Sequence, residues 1–372
     1  MVKTKMTRRQ YFILILILGA LATVSPFSID MYLPGFPAIA TALNTTIASV
    51  QLSLTSYFVG IAAGQILYGP LLDRYGRKIP LYSGLGLYIV ASLGCAFTNT
   101  VESLIAMRFL QALGGCAGMV AAQTLIRDLF PVNKTAQAFS SMTLVVAVSP
   151  MIAPTIGGYM TVAFGWHSLF IVLAIITALI VLAAYWMLPQ GRKPDPSISL
   201  KPKSVIKNFY SVIRHPQFII YTLAGGFASS ATFAYIAGSS DVFMNLYGVS
   251  EQEYGWIFAI TAATIIGSTQ LNHLLLKRFT SQQLVMATLV VQTVIGIILV
   301  TGTAFEWYTK IDLIVIIALL LAGHGLVNSN SFALSLAPFS KHTGSAAALV
   351  GSFRMTMAGL TSALVSALHN NT

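Results

Sequence analysis

Charge is the property that this sequence has least of. Lys, Arg, Asp and Glu together make up 8% of its 372 residues, whereas a soluble domain carries about 25%. A chain that is 56% hydrophobic, with a mean hydropathy of +0.78, cannot build the polar shell that a soluble fold of this size requires. The composition therefore excludes a soluble globular protein and predicts one that spans a membrane.

Reactive and metal-binding residues are also few. The two cysteines, Cys95 and Cys116, both fall inside apolar segments, so the chain has neither a disulfide framework nor a Cys-x-x-Cys pair. The sequence contains no P-loop, paired-carboxylate site, metal-ligand cluster or Gly-x-Ser-x-Gly motif. We therefore expect no enzymatic activity, no metal and no cofactor.

Long apolar runs are abundant. Roughly 20 residues cross the hydrocarbon core of a bilayer as a helix. Eleven runs of about this length occur, at residues 11–38, 48–70, 79–97, 100–124, 136–162, 167–188, 217–239, 252–276, 282–304, 311–334 and 343–367. Because backbone groups in a bilayer must bond within the chain, and barrel-type alternation is absent, these runs predict transmembrane helices. We expect the first run to be an uncleaved span and not a signal peptide.

A polar segment divides the runs into two groups. Residues 189–216 are rich in proline and lysine. We predict a six-helix bundle over residues 1–188, a cytoplasmic linker over 189–216, and a second bundle of five spans over 217–372. Near the end of the linker, residues 205–214 alternate apolar and basic side chains at helical spacing, which predicts a helix on the membrane surface.

The basic residues predict the orientation. The net charge is +11, and all Lys and Arg except Arg108, Lys310 and Arg354 fall on one side when the spans alternate. Loops that are rich in Lys and Arg stay in the cytoplasm, so we expect a multi-pass protein of a bacterial inner membrane with a cytoplasmic N-terminus. A basic chain can also bind nucleic acid, but cations confined to loops between spans argue against that partner.

Asp30 is the acidic residue that falls within a predicted span. The other Asp and Glu residues, among ten in total, lie toward span ends or in loops. A charge in a span costs about 2.5–3.5 kcal/mol or more and usually serves a function such as proton transfer. Pro26 and Pro34 should bend or break the helix around Asp30. We predict that Asp30 carries protons, with His324 as the competing candidate; the alternative is that Asp30 reaches the outer membrane interface.

Two arginines also fall within predicted spans. Arg108 lies about 12 Å from the outer end of the fourth run, at the depth of Asp30. Opposite charges at one depth predict an ion pair, which either participates in proton coupling or is a fixed structural contact. Arg354, in the eleventh run, has no evident acidic partner, and its role stays open.

Three motifs resemble those of the major facilitator superfamily. They are residues 69–78 (GPLLDRYGRK), 108–115 (RFLQALGG) and 149–158 (SPMIAPTIGG). The first resembles the superfamily's loop between spans two and three, where acid and guanidinium groups can hold helix ends together. Together with Asp128, it suggests a conformational latch formed by Gly69, Asp73, Arg74, Gly76, Arg77, Lys78 and Asp128. The second motif associates Arg108 with proton coupling. The third is typical of antiporters, with Pro150, Pro154, Gly157 and Gly158 at its main positions.

The first span resembles one branch of this superfamily. Residues 25–37 (SPFSIDMYLPGFP) are most similar to the bicyclomycin/chloramphenicol-resistance (Bcr/CflA) group of drug:proton antiporters. The resemblance implies an all-α membrane protein with two six-helix bundles around a central cavity. The family has twelve spans and the sequence predicts eleven, so we expect the second bundle to lack its twelfth span.

These features favour proton-coupled export of small, mostly hydrophobic molecules by alternating access. The alternative on the same fold is a proton symporter or a facilitated uptake carrier for a small metabolite. We expect a monomer whose partners are the small-molecule substrate, protons and the lipid bilayer. The candidate cavity residues are polar or aromatic side chains within predicted spans: Tyr32, Tyr57, Gln65, Gln123, Tyr235 and Asn328.

Overall fold

The computed structural model describes residues 7–130, 132–191, 193–196, 202–339 and 343–368, which form helices joined by short turns. The α-helices in chain order are α1 (Arg8–Asp30), α2 (Phe36–Ala42), α3 (Ile47–Tyr75), α4 (Lys78–Ala96), α5 (Val101–Leu129), α6 (Val132–Ala147), α7 (Ser149–Phe164), α8 (His167–Met187), α9 (Pro202–Ile213), α10 (Pro216–Ser240), α11 (Glu251–Leu275), α12 (Ser281–Ala304), α13 (Lys310–Leu336) and α14 (Thr343–Ala367). The predicted all-α membrane architecture is confirmed.

Ten helical segments of the described residues are long and apolar enough to cross a membrane. They coincide with ten of the eleven predicted runs. The remaining run, residues 252–276, forms α11, which is 25 residues long but less apolar because it carries Thr269, Gln270 and Asn272. The count of eleven spans therefore stays a prediction.

When successive spans alternate in direction, their connections fall at two distinct ends of the bundle. We call the end that carries the α3–α4 turn the basic end, because Arg74, Arg77, Lys78 and Arg127 lie there. The other end, here the acidic end, carries the α4–α5, α10–α11 and α12–α13 connections, with residues such as Glu102, Glu251 and Glu306. This separation follows from the sequence pattern of basic loops.

The first span is interrupted where the prolines predict it. Pro26 lies inside α1, which ends at Asp30. A 3-10 turn over Leu33–Gly35 contains Pro34 and leads into α2. Proline cannot donate a backbone hydrogen bond, so the regular helix does not continue through this turn. The break places Asp30 at the end of a helix inside the bundle.

The fifth span is interrupted in the same way. α6 ends at Ala147 and α7 begins at Ser149. Pro150 lies in the first turn of α7, where a missing N–H is tolerated, and Pro154 lies inside the helix. The fifth span is therefore built from two helices that meet at Val148.

The predicted linker contains the expected helix. α9 (Pro202–Ile213) covers most of the segment in which apolar and basic residues alternate. Val212 is buried and packs with Phe218, Ala346 and Val350, so one face of α9 contacts the protein. The position of α9 at a membrane surface and the division of the chain at residues 189–216 stay predictions.

Helices before and after the linker contact each other along two seams. In one seam, Thr55 of α3 donates a hydrogen bond of 2.8 Å to Ser362 of α14, and Ser366 donates one of 2.7 Å to the Ala48 carbonyl. In the other, α7 and α11 approach so closely that a β-carbon on Gly255 would lie 2.7 Å from the Thr155 Cα. The second seam is tightest near the acidic end, because Gly255 lies in the first turns of α11.

Candidate functional site

A cavity of about 610 Å³ lies between the two groups of helices. Its walls come from α1, α3, α5, α6 and α7 before the linker and from α10, α11, α13 and α14 after it. The lining is mostly aliphatic and aromatic. The polar side chains that interrupt it include Ser25, Asp30, Thr232, Tyr235, Gln270 and His324. An apolar cleft with a few polar groups is typical of a site for a small organic molecule.

Asp30 faces this cavity from the end of α1. The residue is 6% exposed, and Ser149, the first residue of α7, donates a hydrogen bond of 3.5 Å to its Oδ2. The break after α1 therefore presents a carboxyl group to an apolar space. The alternative in which Asp30 reaches the outer interface does not agree with this burial.

Arg108 lies on the other side of α1, among aromatic rings. Its side chain is 0% exposed. Nη1 donates a hydrogen bond of 2.5 Å to Gln111 Oε1, and Nη2 donates one of 3.4 Å to the Ser28 carbonyl. The guanidinium carbon lies 4.0 Å from the ring centre of Tyr57 and 4.4 Å from that of Tyr32. These contacts compensate a buried cation by cation–π interactions and charge-assisted hydrogen bonds.

The predicted ion pair between Asp30 and Arg108 is wrong in this structure, since no contact within 4 Å joins their charged atoms. Ser28 hydrogen-bonds Tyr88 of α4, so that face of α1 looks toward α4 and α5. Residues two apart on a helix point about 200° away from each other, and Asp30 therefore faces α7 and the cavity. Equal depth in the membrane did not imply the same helix face.

The cavity candidates divide into those that line it and those that do not. Tyr235 lines the cavity and shares a hydrogen bond of 2.9 Å with Thr261. The expectation is wrong for Tyr32 and Tyr57, because both rings enclose Arg108.

Three further candidates also lie outside the lining. Gln123 is exposed on α5, and the Asn328 carbonyl accepts a hydrogen bond from Arg354. Gln65 packs against Gly351 in the α3–α14 seam. Of these three side chains, that of Gln65 takes part in a contact between helices.

The motif that resembles antiporters packs α7 against two neighbours. Pro150 lines the cavity. A β-carbon on Gly157 would overlap the Met31 carbonyl oxygen, and one on Gly158 would overlap the Glu251 carbonyl oxygen. The two glycines therefore let α7 approach both the broken first span and α11 of the other group. Pro154 adjoins this contact, because its carbonyl carbon lies 3.2 Å from the β-carbon position of Gly255.

Part of the predicted latch forms an ion-pair cluster at the basic end. Arg77 Nη1 lies 2.6 Å from Asp73 Oδ1, and Arg77 Nε lies 2.7 Å from Asp128 Oδ2. Burial by itself would lower the pKa of Arg77, but both carboxylates oppose this and the pKa is raised above its ordinary value. The guanidinium is therefore charged at any pH below about 12. Gly76 has a φ of +81°, which glycine adopts without strain at the end of α3.

The remaining predicted latch residues lie next to this cluster in the chain. The guanidinium carbon of Arg74 lies 5.9 Å from the ring centre of its neighbour Tyr75. Lys78 begins α4, and a β-carbon on Gly69 would meet nothing within 4 Å. The ion pairs of Asp73, Arg77 and Asp128 link α3, α4 and α5.

The structure adds a contact that sequence reasoning missed. The Asp195 backbone N–H donates a hydrogen bond of 3.3 Å to the Asp73 carbonyl. A β-carbon on Gly191 would lie 2.7 Å from Arg77 Cγ and 2.9 Å from Asp128 Oδ2. The beginning of the predicted linker therefore packs over the ion-pair cluster, and no sequence motif marks this contact.

Other functional candidates also emerge only in three dimensions. Ser149 hydrogen-bonds Asp30, and its place at the start of the third motif was the available signal. Asp241 follows the predicted run 217–239, yet it is 9% exposed and accepts a hydrogen bond of 2.6 Å from Asn245. It lies in a π-helical segment, Asp241–Leu246, that extends α10, which hydropathy did not reveal.

Comparison with known proteins agrees with this architecture. The sequence profile of the Major Facilitator Superfamily matches residues 17–362. A Bicyclomycin resistance protein homolog from Haemophilus influenzae is 29% identical over 368 residues, 98% of this chain and 92% of that protein. The MFS-type transporter YdgK from Bacillus subtilis is 32% identical, over 96% of this chain and 90% of that protein. The multidrug resistance protein MdtL from Escherichia coli is 28% identical, over 89% and 83%.

Solved structures share the fold at low identity. An inward-facing bacterial homolog of the human lysosomal transporter Spinster aligns with a TM-score of 0.73 at 16% identity, over 97% of this chain and 82% of that chain. A D-xylose-proton symporter aligns with the same score at 17% identity, over 96% and 89%. The names of the sequence relatives agree with the resemblance of the first span to the Bcr/CflA branch. The chain is a multi-pass membrane protein that belongs to the Major Facilitator Superfamily of transporters.

Proposed function

We propose that this protein is a proton-coupled exporter of small, mostly hydrophobic molecules in a bacterial inner membrane, with its N-terminus in the cytoplasm. The observation that carries the proposal is a buried carboxyl group, Asp30, that faces an apolar cavity between the two groups of helices. A carboxyl group in such a place can bind and release a proton within the membrane. The names of the resistance proteins among the relatives support export over uptake.

In this mechanism, Asp30 is the coupling group. It takes up a proton when the cavity communicates with the outside and loses it to the cytoplasm as a substrate enters. One proton that moves through 100 mV supplies about 2.3 kcal/mol, which sustains a gradient of about 50-fold for a neutral solute. Ser149 donates its hydrogen bond to the carboxylate and would stabilise the deprotonated state.

The seams between the helix groups support alternating access. α7 and α11 touch near the acidic end, whereas Phe139 of α6 and Gln270 of α11, which lie nearer the basic end, line the cavity. This arrangement fits a state whose cavity opens toward the basic end, the cytoplasmic side in our proposal. Because one chain encloses the cavity, we propose that the protein acts as a monomer.

The two arginine sites have supporting roles in this scheme. Arg108 holds the Ser28 carbonyl and the rings of Tyr32 and Tyr57, so it positions the end of α1 without touching Asp30. The cluster of Asp73, Arg77 and Asp128 joins three helices at the basic end. We propose that it acts as the conformational latch.

The test is the substitution Asp30→Asn. A panel of antibiotics and dyes is first screened in cells that lack their own efflux pumps, to find a compound against which the wild-type protein protects. Asp30→Asn should insert at the wild-type level but lose protection, because the amide cannot carry a proton. The control is Glu102→Gln, an exposed carboxyl in the first turn of α5, which should protect fully. Full protection by Asp30→Asn would contradict the role of Asp30.

Symport on the same fold is the second candidate, and the similarity to a D-xylose-proton symporter is the reason to test it. Inside-out vesicles that contain a pH-sensitive dye distinguish the two directions. An antiporter makes the vesicle lumen more alkaline when the transported compound is added outside, whereas a symporter makes it more acidic. Asp30→Asn should abolish either signal.

A further inference from the structure

A second cation lies half-buried among the helices that follow the linker. Arg354 of α14 donates a hydrogen bond of 3.0 Å from Nη2 to the Asn328 carbonyl, and its guanidinium carbon lies 5.5 Å from the ring centre of Phe332. Its Nε is buried without a hydrogen-bond partner. All ten acidic residues of the sequence lie in the described part of the chain, and none of them forms an ion pair with Arg354 there.

Further polar atoms without partners surround this arginine. They are His324 Nδ1, Asn328 Oδ1 and Ser331 Oγ, all buried on α13. His324 and Asn328 are four residues apart, and Asn328 and Ser331 are three apart, so all three share one face of the helix. We call His324, Asn328, Ser331 and Arg354 the α13–α14 polar cluster.

The position of Gly225 shows how close the members of the cluster are. A β-carbon on this glycine of α10 would lie 3.3 Å from Arg354 Nη2 and 3.5 Å from Ser331 Oγ. The guanidinium group of Arg354 and the hydroxyl group of Ser331 therefore border the same small space next to α10. A side chain at position 225 would fill that space.

The chemistry of the cluster points to an anion. A buried guanidinium without a counter-ion is costly in an apolar interior, and such groups in membrane spans usually serve a ligand or a pathway. The unpaired Asn328 Oδ1 can only accept hydrogen bonds, whereas the guanidinium, imidazole and hydroxyl groups can all donate them. Together they match a carboxylate, which accepts several charge-assisted hydrogen bonds at once.

The cluster borders the central cavity. His324 lines the cavity, and so does Met355, the residue after Arg354. The cavity wall thus carries Asp30 from the helices before the linker and the edge of a cationic cluster from the helices after it. A molecule in the cavity can meet an acidic group through one part of its surface and basic groups through another.

We propose that the α13–α14 polar cluster binds the carboxylate of the transported molecule, and that preferred substrates are zwitterions with an apolar body and an ammonium group for Asp30. This inference rests on the proposed transport function and names its substrate class. An ammonium group at Asp30 would also compete with the coupling proton, which is consistent with exchange.

The test measures binding of matched compounds to the purified full-length protein by isothermal titration calorimetry. The probes are the hydrophobic dipeptide phenylalanylphenylalanine and its methyl ester, which lacks the carboxylate. Wild-type protein should bind the free acid at least about tenfold more tightly than the ester, the effect of one charge-assisted hydrogen bond. Arg354→Gln should remove that preference while it changes the ester affinity far less.

Two further variants control for charge and folding. Arg214→Gln removes the same charge from an exposed arginine at the end of α9 and should keep the preference for the acid. If Arg354→Gln does not fold, Arg354→Lys should retain part of the preference. The proposal is wrong if wild-type protein binds the acid no more tightly than the ester, or if Arg354→Gln keeps the full preference.

Inorganic anions provide another control. Chloride should weaken binding of the acid but not of the ester if it competes for the cluster. If chloride stabilises the protein against unfolding but does not weaken binding of the acid, the cluster is a site for inorganic anions only. This outcome would contradict the proposal. Because these measurements need no proton gradient, they succeed or fail independently of the Asp30→Asn transport test.

Discussion

Asp30, Arg108 and Arg354 lie inside the bundle, and each is accommodated differently. Asp30 borders the cavity and accepts one weak hydrogen bond. Arg108 is enclosed by aromatic rings and donates to a carbonyl and an amide oxygen, whereas Arg354 donates to one carbonyl and lies near one ring. Nε is unpaired in both arginines. Arg108 therefore has more contacts that compensate its charge than Arg354 has, and Asp30 and Arg354 are the better candidates for contact with a ligand.

Arg108→Lys tests the structural role of Arg108. The ammonium group keeps the charge but cannot stack on the Tyr57 ring as a planar guanidinium does, and it cannot span Gln111 and the Ser28 carbonyl equally well. A desolvated cation–π contact contributes about 2 kcal/mol, so we expect the variant to lose about that much stability. Thermal unfolding of the detergent-solubilised protein measures the loss.

Arg127→Lys is the matched control for this measurement. Arg127 is exposed in the last turn of α5, so its replacement should leave the unfolding temperature nearly unchanged. If Arg108→Lys is as stable as this control, the aromatic enclosure does not stabilise the cation.

At the scale of elements, the contact between α7 and the broken first span determines where Asp30 lies. Gly157 packs against the carbonyl group of Met31, which is the residue after Asp30. Ser149 donates a hydrogen bond to Asp30 itself. α7 therefore supports the end of α1 at two points. The prolines interrupt both spans, and the small residues let the interrupted spans come together.

Gly157→Ala tests this packing. The added β-carbon would overlap the Met31 backbone, which cannot move without displacing the end of α1. Overpacking of this kind costs about 1–3 kcal/mol, so thermal unfolding should occur at a lower temperature. If Asp30 couples transport as proposed, transport should fall as well, because Asp30 shifts with its backbone.

Gly86→Ala provides the comparison. A β-carbon at this position of α4 would meet nothing within 4 Å, and alanine favours a helix over glycine by about 0.5–1 kcal/mol. This variant should be as stable as the wild-type protein or more so. Equal stability of the two alanine variants would mean that the Gly157 contact is not required.

At the scale of the whole molecule, transport by alternating access requires the two helix groups to move against each other. The α3–α14 seam holds them together through Thr55 and Ser362, whose hydroxyl oxygens are 2.8 Å apart. A covalent bond at this position should block the movement while it leaves the cavity intact.

The double substitution Thr55→Cys with Ser362→Cys tests this requirement. Oxidation should form a disulfide, because side-chain atoms this close suit its short S–S bond. We expect oxidised protein to lose transport, to retain binding of the transported compound, and to recover transport on reduction. Single-cysteine variants, in which the native Cys95 and Cys116 stay buried, should not respond. Full transport by quantitatively cross-linked protein would contradict movement at this seam.

The sequence determined where most helices, and one of the helix breaks, lie along the chain. Apolar runs located the helices because a bilayer requires internal backbone bonding. Pro26 and Pro34 marked the break in the first span, because proline cannot continue a regular helix. Among the predicted latch residues, Asp73 and Arg77 are one helical turn apart in the chain, so their ion pair was accessible to local reasoning.

Tertiary structure alone decided which buried groups meet. Depth along a helix can be read from the sequence, but the direction of a side chain around the helix axis depends on how neighbouring helices pack. Asp30 and Arg108 therefore share a depth and face different surroundings, while Tyr32 and Tyr57 enclose a cation and do not line the cavity. The α13–α14 polar cluster joins residues 324–331 to Arg354 for the same reason: contacts between helices distant in the chain arise from packing, which hydropathy does not encode.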